Sequence, residues 1–273
     1  MLNKTRLTII VLLAVITAVG AEEFHSNIPG GNPAAEGLTL KDDNSIFVGW
    51  FADNWNATTS GAQLGSPKLA DLNGDGVPEI LLPIYEGSLY AWNGTGSILA
   101  GFPVSTGGYA PSSPAVGDID NDGDMEIVQG TWSGVRVYNA DGSPFPGWNM
   151  PGYTHEAPVL YDLDGDNDLE IIIPSNNTLN VYHHTCGNLT GFPVTVTNSL
   201  TCPAVGDLDQ DGYPEIIAGS NVASGSDYDS VYAWRRDGSR VAGFPVGTAG
   251  SVKAAPALAD LDNDGDMEII ACC

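Results

Sequence analysis

Asp162-Leu-Asp164-Gly-Asp166-Asn167-Asp168-Leu-Glu170, running straight into Ile171-Ile172-Ile173, is the stretch that decides the fold. It places carboxylates at positions 1, 3, 5, 7 and 9 of a nine-residue loop and then turns apolar. Four further copies stand in phase with it: Asp71-Leu-Asn73-Gly-Asp75-Gly76-Val77-Pro-Glu79, Asp118-Ile-Asp120-Asn-Asp122-Gly123-Asp124-Met-Glu126, Asp207-Leu-Asp209-Gln-Asp211-Gly212-Tyr213-Pro-Glu215 and Asp260-Leu-Asp262-Asn-Asp264-Gly265-Asp266-Met-Glu268. The first Asp falls at 71, 118, 162, 207 and 260. A period in the forties is the length of one β-rich supersecondary unit copied side by side.

Each unit extends beyond its loop. Pro67, Pro114, Pro158, Pro203 and Pro256 each stand four residues before the first Asp. After the first four loops comes an alternating segment: Leu89-Tyr-Ala-Trp92, Val135-Arg-Val-Tyr138, Leu179-Asn-Val-Tyr182 and Val231-Tyr-Ala-Trp234. A turn and a Gly-aromatic pair follow, as in Gly101-Phe102-Pro103-Val104, Gly147-Trp148, Gly191-Phe192-Pro193-Val194 and Gly243-Phe244-Pro245-Val246. Period-two alternation, β-branched and aromatic residues and closely spaced Gly, Pro, Asn and Asp predict four short strands per unit and an all-β chain.

The loops suit a hard cation that takes six to eight oxygens, and calcium is the simplest occupant. Crowded carboxylates with no Lys or Arg inside the loop would otherwise repel one another. The expected ligands are side chains at positions 1, 3, 5 and 9, with the backbone carbonyl at 7. They are Asp71, Asn73, Asp75, Val77 and Glu79; Asp118, Asp120, Asp122, Asp124 and Glu126; Asp162, Asp164, Asp166, Asp168 and Glu170; Asp207, Asp209, Asp211, Tyr213 and Glu215; and Asp260, Asp262, Asp264, Asp266 and Glu268. Gly at position 6, or Asn167 in the third copy, permits a left-handed turn. Asn73 gives the first loop one charge fewer, so it is expected to be the weakest site. An EF-hand needs a Glu at position 12 and flanking helices. Here position 12 is Leu82, Gln129, Ile173, Ala218 or Ala271, and the flanks read as strands.

The pattern Pro-Ala-Val-Gly-Asp-Leu-Asp-x-Asp-Gly-x-x-Glu-Ile, with Val-Tyr-Ala-Trp and Gly-Phe-Pro-Val after it, resembles the FG-GAP (VCBS-type) repeats of secreted proteins. It is similar to the calcium-loop blades of the integrin α-subunit propeller. The resemblance covers about residues 60–273. It implies a β-propeller of four-stranded blades with up to five structural calcium ions, each in the turn between a blade's first two strands. It also implies a role in adhesion or cell-surface binding of a protein or glycan. Some similar repeats occur in polysaccharide lyases, so a polysaccharide-acting enzyme is the alternative. Five repeats are visible. The last lacks its third and fourth strands, while Ile46-Phe-Val-Gly49-Trp50-Phe51 resembles the end of a unit. A closed five-bladed ring and a fragment of a larger propeller both fit that pattern.

Residues 1–21, with Lys4 and Arg6 ahead of an apolar run from Leu7 to Val19, read as a secretory signal peptide cleaved after Ala21. Residues 22–45 read as a linker and 46–273 as the repeats, giving a secreted or cell-surface protein without a transmembrane helix in the mature chain. The formal net charge is −25, and 22 of the 34 acidic residues stand in the five loops. Nine Lys and Arg in the whole chain exclude phosphate-backbone recognition, which needs clustered basic residues. No nucleophile or zinc motif occurs. His155, His183 and His184 read as turn residues, and Cys186 and Cys202 as either a pair across neighbouring units or two thiols. The recurring Tyr90, Trp92, Tyr138, Tyr182, Tyr232 and Trp234 read as packing between units.

Overall fold

The computed structural model describes residues 59, 61–148, 150–221, 230–263 and 267–273. The signal peptide, the linker, Ile46–Phe51 and the ligands Asp264 and Asp266 lie outside the described residues. All regular structure among those described is strand.

The acidic loops set the pattern because each one reverses the chain between two strands in the same register. β1 (Lys68–Ala70) runs into the first loop and pairs antiparallel with β2 (Glu79–Ile84); β3 (Ser88–Trp92) and the two-residue β4 (Val104–Ser105) complete the sheet. The second sheet is β5 (Ala115–Gly117), β6 (Glu126–Thr131) and β7 (Gly134–Asn139). The third is β8 (Val159–Tyr161), β9 (Glu170–Ser175), β10 (Thr178–Tyr182) and β11 (Val194–Thr195). β12 (Ser199–Leu200), β13 (Ala204–Gly206), β14 (Glu215–Asn221), β15 (Ser230–Trp234) and β16 (Val246–Gly247) make the fourth, and β17 (Ala257–Ala259) and β18 (Glu268–Ile270) the fifth. In all five, the residue before the loop's first Asp sits opposite the Glu at position 9: Ala70 with Glu79, Gly117 with Glu126, Tyr161 with Glu170, Gly206 with Glu215 and Ala259 with Glu268.

The expected fourth strand is present but minimal. In the second repeat it shrinks to a single bridge between Val135 and Met150, where Gly147-Trp148 replaces the Gly-Phe-Pro of the other copies.

Apolar residues of one sheet bury against the next, so the core is a series of seams between neighbouring repeats. Leu81, Leu89 and Phe102 of the first repeat pack with Ile127 and Tyr138 of the second. Val128, Val137 and Trp148 pack with Ile171, Ile173 and Tyr182 of the third. Ile172, Leu179, Val181 and Phe192 pack with Ile216, Tyr232 and Trp234 of the fourth. Tyr138, Tyr182, Tyr232 and Trp234 and the Gly-Phe/Trp residues Phe102, Trp148 and Phe192 therefore do serve as inter-repeat packing, whereas Trp92 is buried against Leu82 and Ile84 of its own repeat.

Cys186 and Cys202 are not joined. The Cys202 Sγ donates to the Ala157 carbonyl at 3.4 Å, and burial pushes its thiol up to about 11.

Candidate metal centres

Each loop is built around its first and last carboxylates. The Asp at position 1 accepts backbone N–H groups from inside the loop: Asp75 (3.1 Å) and Gly76 (2.8 Å) donate to Asp71, and Asp122 (3.1 Å) and Gly123 (2.9 Å) to Asp118. Asn167 donates to Asp162 (3.1 Å), and Gly212 to Asp207 (3.0 Å). The Asp at position 5 accepts the N–H of position 7 at 2.8–2.9 Å, from Val77, Asp124, Asp168 and Tyr213. These bonds wind the chain so that the acidic side chains converge.

The Glu at position 9 does more than serve as a candidate ligand. Glu79, Glu126, Glu170 and Glu215 are buried. One oxygen of each position-9 Glu accepts the N–H of position 2: Leu72 (2.8 Å), Ile119 (3.0 Å), Leu163 (2.7 Å), Leu208 (2.8 Å) and Leu261 (2.8 Å). The loop is thereby latched across its mouth. The other oxygen has a side-chain partner in two loops: the Asn73 amide at Glu79 Oε1 (3.2 Å) and His183 Nδ1 at Glu170 Oε1 (3.1 Å).

Backbone geometry supports the expected turn and adds a second one. Position 6 is left-handed at Gly76, Gly123, Asn167 and Gly212, with φ of 83°, 98°, 77° and 88°. Position 4 is left-handed too, at Gly74, Asn121, Gly165, Gln210 and Asn263. Gly and Asn at that position are thus a requirement of the turn, and Gln210 is the residue that meets it least comfortably.

The donor set fits a hard cation. Ligand atoms of Asp162, Asp164 and Glu170 all lie within 4.8 Å of one another, as do those of Asp207, Asp209 and Glu215, of Asp260, Asp262 and Glu268, and of Asp118, Asp120 and Asp122. Asp120 Oδ1 and Asp207 Oδ1 are buried oxygens with no hydrogen-bond partner, an arrangement that is costly unless a cation is there. The first loop differs from the others at Asn73. The Asn73 side-chain amide donates to Glu79 Oε1 at 3.2 Å, closing onto the oxygen that a cation would use.

Crowding shows in the titration of these groups. Burial, reinforced by Asp120, Asp122 and Asp118, pushes Glu126 up to about 7 against the opposing hydrogen bond from Ile119. Glu170 and Glu215 move in the same direction, again chiefly by burial. A carboxyl whose folded pKa exceeds its unfolded value near 4.5 favours the folded state below that value. The contribution is lost as pH rises through the folded pKa. Calcium-free protein is therefore expected to melt at a higher temperature at pH 5 than at pH 7.5. With saturating calcium the order should reverse, because the ion must displace those protons. Melting curves at the two pH values, with and without chelator, check this; a calcium-free melt that rises with pH would contradict it.

In the third and fourth repeats the residue that follows the aromatic strand reaches the acidic loop of its own repeat, a feature the sequence reading missed. His183 and His184 stand in the turn after β10, as expected, and their side chains also engage the third loop: His183 Nδ1 lies 3.1 Å from Glu170 Oε1, and His184 Nδ1 lies 2.9 Å from Asp168 Oδ2. In the fourth repeat the equivalent of His183 is Arg235, whose Nη2 donates to Asp209 Oδ2 at 2.8 Å. The guanidinium occupies an oxygen that a cation needs. Arg235→Ala should strengthen calcium binding at the fourth loop by up to about fivefold, the scale of a half-exposed ion pair. Calorimetric titration of calcium into the two proteins measures it, and an unchanged or weaker fourth site would count against competition. Aligning the repeats by their aromatic strands would have shown Asn93, Asn139, His183 and Arg235 in one column.

Residues 162–218 match the model of the FG-GAP-like repeat family, so the third loop and the run to the fourth sheet carry such a repeat. No curated protein matches the chain. Among solved structures, the chain is similar to the Pseudomonas aeruginosa PilY1 C-terminal domain, with 17% identity and a TM-score of 0.53 over 71% of this chain and 52% of that one. It is also similar to BBS1N in complex with ARL6DN, at 15% identity and a TM-score of 0.50 over 78% and 63%. The V. cholerae biofilm matrix protein Bap1 matches at 19% identity and a TM-score of 0.46 over 79% and 44%. This chain spans less than two thirds of each, and at these identities the likeness to PilY1 and BBS1N concerns the fold alone.

Proposed function

We propose that the chain is an exported calcium-loaded β-propeller of FG-GAP-type blades that works as a binding or adhesion module for a protein or glycan at the cell surface. The observation that carries this reading is the Glu latch repeated in all five loops, with converging carboxylates in four of them. Those carboxylates gain a counter-ion only if calcium is abundant, as it is outside cells, where modules of this kind bind at the weak end of the calcium range. The apolar, Lys4- and Arg6-led start of the chain agrees with export. Successive sheets packed against one another through apolar seams suit the blades of a propeller. BBS1N, of similar fold, is seen in complex with ARL6DN, which makes partner binding a natural use of such a scaffold.

Calcium would be held by positions 1, 3 and 5 and the second oxygen of the position-9 Glu, with the carbonyl at position 7; at Glu79 and Glu170 it would take that oxygen from Asn73 and His183. Its chemistry there is structural: it neutralises the cluster and fixes the turn. Equilibrium dialysis of the mature protein should count three ions bound firmly, at the second, third and fifth loops. Two weaker ones follow, at the first loop with Asn73 and the fourth with Arg235. Fewer than two ions at millimolar calcium would overturn the reading.

A further inference from the structure

The aromatics that hold the repeats together recur in every copy, but a second set does not. Tyr85 follows β2 and Trp132 follows β6, at the strand ends remote from the acidic loops. Tyr109 and Tyr153 stand on the connectors leading to β5 and β8. In the third repeat the place of Tyr85 and Trp132 is taken by Asn176. The fold therefore has no general need of rings here.

These four rings nevertheless meet. Tyr85 stacks on Tyr109 with centroids 4.7 Å apart, and Trp132 stands edge-on to them at 5.6 and 4.9 Å. Trp132 also lies 5.7 Å from Tyr153 and 5.3 Å from His155. Its indole N–H donates to His155 Nδ1 at 3.2 Å, and the Tyr153 hydroxyl bonds the other ring nitrogen. Backbone bonds fix the segments that carry them: Ala110 N–H to Tyr85 O (3.0 Å), Trp132 N–H to Tyr109 O (2.9 Å) and Thr154 N–H to Thr131 O (3.1 Å). The result is a rigid aromatic ridge across the first two repeats. Tyr109 is 46% exposed, His155 is exposed and the other rings are half-buried.

Beside Tyr153 the ridge falls into a cleft of about 320 Å³, within the roughly 300–1,000 Å³ typical of small-ligand sites. Tyr153, Ser175, Asn176, Asn177, Thr178 and Asn180 line it, and no charged side chain does. Asn177 and Asn180 spend their amide N–H groups on the Val196 and Ile173 carbonyls, at 2.8 and 3.3 Å, which leaves the amide oxygens as acceptors. Arg136, which bonds the carbonyl of the lining residue Met150, is also committed to the carbonyls of Ser133 and Val135.

We propose that this ridge and cleft are a binding site for a neutral glycan, one sugar ring stacked on the Tyr109–Trp132–Tyr153 ridge and a neighbouring unit hydrogen-bonded in the amide-lined cleft. A pyranose offers an apolar C–H face to a ring and hydroxyls to amides, which is the combination present here. A charged ligand would find no counter-charge in the lining, and a net charge of −25 repels anionic polymers. A protein partner would be expected to meet apolar anchor pockets, whereas this cleft is polar.

The inference rests on the reading of the chain as a surface-binding module. Affinity electrophoresis of the whole calcium-loaded mature protein in gels containing dextran, mannan, laminarin or galactomannan, against alginate and polygalacturonate, tests it. Retardation by at least one neutral polymer and by neither anionic one is expected. Tyr109→Ala and Asn177→Ala should each weaken it tenfold or more with unchanged calcium content and melting temperature. Trp132→Ala should abolish it, but it also removes packing. Migration unaffected by all four neutral polymers overturns the proposal, as does retardation that survives Tyr109→Ala and Asn177→Ala. Binding of labelled protein to intact cells separates the two readings. If it persists in Tyr109→Ala and is destroyed by treating the cells with protease, the glycan site falls and the binding module stands. If the wild type binds no cell surface at all, the broader reading falls.

Discussion

Removal of divalent cations from the purified mature protein should lower its melting temperature by on the order of 10–20 °C. A site at twentyfold calcium excess over its dissociation constant stabilises the folded state by about 1.8 kcal/mol. Three well-formed loops then contribute about 5 kcal/mol, and each kcal/mol shifts the melt by about 2–4 °C in a chain of this size. The first and fourth loops add less, because Asn73 closes onto Glu79 and Arg235 already neutralises Asp209. Scanning calorimetry in calcium and in chelator measures the shift. Magnesium should restore little of it, since its small, rigid octahedron is poorly served by these wide oxygen cups. An unchanged melt on chelation would leave the loops as turns and remove calcium from the account.

Glu170→Ala should destabilise the protein by about 3 kcal/mol even in chelator. The substitution leaves the Leu163 N–H buried without an acceptor, which costs about 1–3 kcal/mol, and empties volume in a site where Glu170 is fully buried. Glu170→Gln separates the latch from the ion. Its side-chain oxygen still accepts from Leu163, and its neutrality relieves the repulsion from Asp164 and Asp166 that helps raise Glu170. In chelator at pH 7.5 it should melt at or above the wild-type temperature, and in calcium below it. Denaturant titrations of both variants in both conditions decide the matter. Equal losses for Ala and Gln in chelator would show that the latch contributes nothing of its own.

The sequence carried the repeat, the strands and the converging acidic loops because their chemistry is local. An odd-position carboxylate series and a left-handed Gly can be recognised without knowing what they face. The double role of the position-9 Glu was hidden, because its partner is the N–H of position 2, and a backbone donor leaves no letter in the sequence. Position 4 was legible in principle: Gly74, Asn121, Gly165 and Asn263 share tolerance of positive φ, but Gln210 masks the pattern. The loop contacts of His183, His184 and Arg235 were hidden because they cross more than ten residues to reach the acidic loop. Tyr85, Tyr109, Trp132 and Tyr153 escaped for the opposite reason. A search for recurrence passes over residues whose significance is that they do not recur.

The loops and the aromatic ridge lie at opposite ends of the same central strands, about 20 Å apart for a six-residue strand. Most of the negative charge sits at one end, so electrically the body is lopsided. Approaching a surface of fixed negative charge, it feels a torque that swings the acidic end outward and brings the ring-bearing end in first. Screening confines that torque to about the last 8 Å of approach at physiological salt. On the proposed reading, each calcium ion would remove two charges from the heavy end, so the calcium level would set how strongly the molecule is aimed as well as how firmly it is folded.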